Sequence, residues 1–232
     1  MKISAVLFDL DGTLVNTEPS AVSAVVRCFQ EWGLHFPIER SESVKGRTWR
    51  SLFDEFKQSF EIPVTVEEAV RAATKHYLTI LEEELVIIPG SQLAIRSLAK
   101  YWPLGLVTGS TREEIKFVGR RLKVLDHFSV ILGAEDYVRS KPAPDGFLLA
   151  AEFIQADPSE VLVFEDSVPG IAAALAAGMQ VIAVGAANHV RHDGLNILRV
   201  IPDMQIVDAS FITSLDQSVP APRDVTRLNQ GS

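Results

Sequence analysis

The chain has 232 residues, 47% apolar and 22% charged, enough to bury a sizeable core as one large domain or as a core carrying an insert. Twenty-two basic against 30 acidic side chains give a formal charge of −8, which argues against a broad nucleic-acid surface and leaves only local basic pockets. A single cysteine, Cys28, excludes an internal disulfide, fits a reducing cytoplasmic compartment, and reads as a small buried apolar residue.

The N-terminal residues carry one lysine and then an apolar run broken by Asp9, without the small-residue cleavage pattern of a secretory signal, so export is not expected. The run VLFDLDGTLV (residues 6–15) reads as a strand emptying into two acids. A strand pleats with period two, so Asp9 and Asp11 can leave the sheet on the same side. Half-buried carboxylates repel unless a cation compensates them, and oxygen ligands favour a hard ion, Mg²⁺ first. Taken alone, D-x-D-G is equally compatible with an acidic turn.

From residue 17 to about 85 the strand-like runs vanish and helical periodicity takes over. AVSAVVRCFQEWG ends at Gly33, and TVEEAVRAATKHYLTILEEEL opens with Thr65 and Glu68 in capping-box spacing. This segment is expected to be an all-helical domain spanning 17–85, inserted into a discontinuous core of 1–16 and 86–232. Within it, VKGRTWRSLF gathers Lys45, Arg47, Trp49 and Arg50. Arg50 suits a solvated face and Trp49 a core position, whereas Lys45 and Arg47 flank a glycine and suit contact with a polar, phosphorylated metabolite. His35 and His76 read as surface residues. IIPGS (87–91) is expected to be the return hinge, with Ser91 or Gly90 opening a helix through Lys100.

The runs ISAVLF, LGLVT, VLVF and VIAV, each followed by polar or glycine residues and then a helical pattern, predict repeated β-α units. Such strands, apolar on both faces, suit a Rossmann-like parallel sheet with helices on both sides, where ligands gather at the carboxyl ends of the strands. The apolar stretch of 170–187 is long enough to mimic a membrane span, but its Ala and Gly content and the break at Gly178 predict a helix followed by a strand. The Pro-rich tail from about Asp216 is expected to fray.

The residues after the strands form one chemical kit. TGS (108–110) offers the Thr108 hydroxyl, Gly109 and backbone N–H groups to an anion, while Ser110 with Glu113 fits a helix-capping box. SKPAPD holds Lys141 extended before a proline. VLVFEDS empties a second strand into two acids, Glu165 and Asp166. Acids for a metal, a hydroxyl and a lysine for phosphate oxygens, and one spare carboxylate to attack phosphorus describe a phosphoryl-transfer site.

DLDGT, TGS, SKPAPD and FEDSVPG occur in the order and approximate spacing of the four motifs of the haloacid dehalogenase superfamily. The chain most resembles its subgroup with a helical cap after the first motif, the beta-phosphoglucomutase-like and sugar-phosphate phosphatases. The resemblance implies that Asp9 is the nucleophile that becomes an aspartyl-phosphate and that Asp11 is the general acid/base. It implies that Thr108 and Lys141 hold the phosphoryl group, and that Asp9, Asp11 (through its carbonyl), Glu165 and Asp166 bind Mg²⁺. It places Lys45, Arg47 and Gly109 against the substrate. Asp11 argues against dehalogenase and phosphonoacetaldehyde hydrolase chemistry, both of which lack that acid. Ala21 stands where the mutases carry a cap histidine, which favours a phosphatase. The alternatives are an isomerase of the mutase type and a phospho-metabolite-binding protein without turnover. The expected partner is a small phosphorylated metabolite rather than nucleic acid or membrane, met by a monomer, with a dimer left open.

Overall fold

The computed structural model describes residues 2–44, 47–185 and 197–215; Lys45 and the tail from Asp216 lie outside the described residues. Six parallel strands form the main sheet: β1 (Ala5–Phe8), β4 (Leu104–Val107), β5 (Val130–Leu132), β6 (Val161–Glu165), β7 (Gln180–Val184) and β8 (Arg199–Ile201), in the order β5-β4-β1-β6-β7-β8. In chain order this is 3-2-1-4-5-6, the doubly wound arrangement, whose direction of winding reverses between β1 and β6. The register makes the two central strands end level: Phe8 pairs with Phe164, and the next amide, Asp9 N–H, donates to the Phe164 carbonyl at 3.0 Å.

Strict alternation sends successive side chains to opposite faces. Val6 and Phe8 of β1, with Leu162 and Phe164 of β6, face one apolar cluster that includes α4 (Ser91–Leu98) and α5 (Arg112–Leu122). Ala5, Leu7, Val161 and Val163 face a second cluster under α6 (Asp145–Ile154) and α7 (Val168–Ala176). Helices therefore cover both faces, as the two-sided apolar strands predict. The apolar run beginning at Gly170 resolves into α7 and β7 around Gly178, and no helix among the described residues is long and apolar enough to cross a membrane.

Residues 18–84 supply α1 (Glu18–Glu31), a 3₁₀ segment (Ile38–Val44), α2 (Trp49–Ser59) and α3 (Val66–Glu84). Thr65 and Glu68 close the expected capping box on α3. Phe29 makes edge-to-face contacts with Phe36, Phe56 and Phe60, so these helices share an aromatic core of their own. Cys28 is buried there, and burial, helped by Glu31, pushes its thiol up to about 12. His35 is exposed as expected, while His76 is only partly exposed and faces Glu31 at 3.1 Å.

The chain enters and leaves this helical segment through a two-stranded antiparallel ribbon, β2 (Val15–Asn16) with β3 (Val86–Ile87), pairing Val15 with Ile87. The expected return hinge, IIPGS, follows directly on this ribbon. Gly90 caps α4 at φ +85°, but a side chain there would strike the Met204–Gln205 backbone, and Met204 N–H donates to the Pro89 carbonyl at 3.0 Å. Pro89 and Gly90 are thus pinned to the core, and the segment crosses over at the ribbon.

Candidate active site

The carboxyl ends of β1 and β6, at the point where winding reverses, carry the acids that the sequence singles out. Asp9, Glu165 and Asp166 are all buried, and one carboxylate oxygen from each lies within 4.8 Å of the others. Lys141 is buried beside them rather than solvated. Its Nζ donates to Asp9 Oδ1 at 2.5 Å and to Glu165 Oε1 at 2.6 Å, and it sits over the Phe147 ring at 5.1 Å. Glu165 Oε2 accepts from the Ser167 amide and hydroxyl, and Thr13 donates to Asp166 Oδ1 at 3.0 Å. Gly12, at φ +90°, lets the loop after β1 pass Asp166, whose Oδ2 would be 2.1 Å from an added Cβ.

The electrostatics of this cluster are unbalanced. Burial pushes the Asp9 carboxyl well above the usual range against the pull of Lys141, with Glu165 and Asp11 pushing the same way. Burial, then Glu165 and Asp9, raise Asp166 as well. Desolvation works against the Lys141 charge, but Asp9 and Glu165 outweigh it and hold the ammonium above its ordinary value. Three carboxylates facing one ammonium leave two negative charges in excess. An all-oxygen donor set with that excess fits a hard divalent cation.

The Asp11 carboxylate is not part of this cluster. Its Oδ1 accepts from the Thr17 hydroxyl at 2.7 Å and Tyr77 Oη at 2.9 Å, and its Oδ2 from the Ser110 hydroxyl at 2.6 Å and the Thr108 hydroxyl at 3.0 Å. Thr17 stands at the N-cap of α1 yet makes no side-chain cap, because its hydroxyl serves Asp11. Thr108 is wholly buried and also accepts the Ser110 N–H at 3.0 Å, and its carbonyl accepts from Tyr137 Oη at 2.7 Å. Thr108 thus faces the second acid of the first motif.

Ser110 corrects the expected cap. The N-cap of α5 is Thr111, and its box partner is Glu114 rather than Glu113. Glu114 is 1% exposed: Oε2 accepts from the Thr111 amide at 2.6 Å and Oε1 from Trp49 Nε1 at 2.5 Å. That indole belongs to α2, so a bond between buried groups crosses from the helical segment to the sheet domain.

A cleft connects these groups and is lined by Asp9, Asp11, Arg47, Tyr77, Gly109 and Glu114 among others. Arg47 reaches this wall, but its guanidinium is held by Glu55 at 2.6 Å and by the Ser51 carbonyl at 2.8 Å. Arg50 is outside, paired with Glu67 at 3.0 Å. Sequence reasoning missed Tyr77, Thr17, Ser110 as a partner of Asp11, and Glu114. Only Glu114 carried a signal, through its capping-box spacing.

The family model described as haloacid dehalogenase-like hydrolase matches residues 6–184. The chain belongs to this family. Among curated relatives of this hydrolase, a probable pseudouridine-5'-phosphatase of Drosophila melanogaster is 34% identical over 195 residues, covering 79% of this chain and 82% of the relative. A fructose-1-phosphate phosphatase of Escherichia coli is 29% identical over 186 residues, covering 79% and 97%. Among solved structures, CbbY of Rhodobacter sphaeroides in complex with phosphate superposes with a TM-score of 0.79 at 23% identity, covering 88% of this hydrolase and 96% of that chain. At that identity the likeness speaks for the fold.

Proposed function

We propose that this hydrolase is a Mg²⁺-dependent phosphatase of small phosphorylated metabolites, sugar phosphates above all, working through an aspartyl-phosphate on Asp9. The observation that carries the reading is the Lys141 ammonium bridging Asp9 and Glu165, with Asp166 alongside and Asp11 held separately by four hydroxyls. The naming of relatives as phosphatases of phosphorylated nucleosides and sugars points the same way.

In this reading Asp9, Asp166, Glu165 and the Asp11 carbonyl would hold Mg²⁺, which supplies charge neutralisation for the phosphoryl oxygens. Lys141 adds a fixed positive charge at the same place, aimed by Phe147 and by the two acids it touches. An Asp9 oxygen attacks phosphorus while the ester C–O–P bond breaks on the leaving side. Asp11 gives its proton to the departing alkoxide. The Asp11 carboxylate then takes a proton from water as that water attacks the aspartyl-phosphate, which returns Asp9 and releases orthophosphate. Ser, Thr and Tyr hydroxyls both donate and accept, so the ring around Asp11 serves it in either protonation state. Thr108 and Gly109 border the phosphoryl position, and Arg47 lies on the substrate side of the cleft.

The helical segment 17–85 then acts as a cap over the core, 1–16 and 86–232, swinging on the β2–β3 ribbon to admit substrate and exclude water. A screen of phosphorylated metabolites for phosphate release, with Mg²⁺ and with excess chelator, tests the reading. Full activity in chelator overturns it. A rearranged sugar phosphate in place of orthophosphate makes the protein a mutase.

A further inference from the structure

We propose that Glu114 is a specificity-determining residue that excludes substrates carrying a second anionic group and favours a distal part made of hydroxyl or amine donors. The inference rests on the phosphatase reading and deepens it. A basic distal pocket would be the ordinary way to hold a bisphosphate or a sugar acid, and the sequence offers Arg47 for it. The structure assigns that side of the cleft the opposite charge.

Arg47 is the cationic side chain among the described residues lining the cleft, and its charge is offset by Glu55 and its second amino group is taken by Ser51. Lys141 is already bracketed by Asp9 and Glu165, on the side where the transferring phosphoryl group is received. Besides Asp9, the acids Asp11, Glu18 and Glu114 line the same cleft as Arg47. Asp11 is taken up by proton transfer in the reading above, whereas Glu114 has no part in it, and its hydrogen-bond partners are neutral donors: one indole N–H, and the amide and hydroxyl of Thr111. Donors of that kind stabilise a carboxylate without cancelling its charge. A carboxylate oxygen can accept two hydrogen bonds. Oε2 has both, whereas Oε1 accepts the Trp49 indole and keeps a second position for a substrate donor.

An anion brought into this enclosed space meets a like charge at low dielectric, which costs far more than in water. A hydroxyl or ammonium finds an acceptor there. Burial raises the Glu114 carboxyl to about 7 against the pull of Trp49 and Thr111, so at pH 8 it is predominantly ionised.

The test uses the full-length protein with Mg²⁺ at pH 8, p-nitrophenyl phosphate as reporter, and fructose 1-phosphate and fructose 1,6-bisphosphate as competitors. The monophosphate is expected to compete at least tenfold better. Glu114→Gln keeps an acceptor and a capping-box residue while removing the charge, and should narrow that ratio about tenfold. Glu114→Asp keeps the charge while shortening the side chain, and the preference for the monophosphate should persist. A ratio unchanged in Glu114→Gln, or a wild type indifferent to the second phosphate, overturns the inference and leaves the phosphatase reading standing. An equal shift in Glu114→Asp also overturns it, because the shape of the seam and not the charge would then select. Absence of Mg²⁺-dependent release from p-nitrophenyl phosphate overturns the phosphatase reading itself, and this inference with it.

Discussion

Tyr77, on the third helix of the inserted segment, donates its hydroxyl to Asp11 Oδ1 across 2.9 Å, although 66 residues separate the two in sequence. Burial first, then the charges of Asp11 and Glu114, push the Tyr77 phenol well above its ordinary value, so it stays a donor throughout the working range. The Asp11 carboxylate is therefore aimed in part by the inserted helical segment. Tyr77→Phe should lower kcat/KM about tenfold for an alkyl phosphate, the range of one hydrogen bond to a charged group, and much less for p-nitrophenyl phosphate, whose leaving group hardly needs a proton. Equal losses on both esters would mean that Tyr77 supports folding rather than proton delivery.

Asp9→Asn preserves shape but removes the attacking oxygen, and should abolish turnover and phosphate labelling of the protein together. Asp11→Asn should retain binding and lose about 10²- to 10⁴-fold in kcat, the usual worth of a positioned acid/base. Rapid-quench measurement of phosphoprotein separates the two. Near-normal turnover in Asp9→Asn would dismiss the covalent route.

Gly12→Ala addresses the acid cluster from a different side. The added Cβ would have to displace the Asp166 carboxylate, and the φ of +90° is itself costly for alanine. The variant is expected to need a markedly higher Mg²⁺ concentration for half-maximal activity, read by titration of the metal. An unchanged midpoint would place Asp166 outside the metal site.

The buried Glu114 carboxyl, ordinarily near 4.5 and raised to about 7 by burial, makes stability depend on pH in a defined sense. The folded protein holds this proton more tightly than the unfolded chain, so the native state loses ground as pH rises through that window. Relative to Glu114→Gln, which cannot titrate, the wild type should lose up to about 3 kcal/mol between pH 4.5 and 8. Urea unfolding of both proteins across that range checks the sign. A difference independent of pH would mean that Glu114 titrates as an exposed acid.

What could be read in advance follows from how far each signal reaches along the chain. β1, β4, β6 and β7 announce themselves because both faces of each are apolar, and the acids at 9, 165 and 166 because they interrupt such runs. β5 and β8 are three residues long and only partly buried, too short for a periodic pattern to emerge. At the helix start, the expected frame of Ser110 with Glu113 lies one residue before the frame that forms, Thr111 with Glu114. Tertiary structure chose between them: Asp11 draws off the Ser110 hydroxyl, and Glu114 is the acid that points inward. Neither Tyr77 nor Trp49 could be assigned to the site, since each meets its partner only when the helical segment settles on the sheet.

The pairing of Val15 with Ile87 has an evolutionary corollary. A segment whose two ends stand side by side is, for the sheet that hosts it, only an enlarged turn, and the entropy of closing such a turn grows slowly, by about 0.6 kcal/mol per doubling of its length. The hosting sheet can therefore exchange this whole block for another of different size or shape at little thermodynamic cost. The buried carboxylates at the ends of β1 and β6 stay in place while the block above them changes.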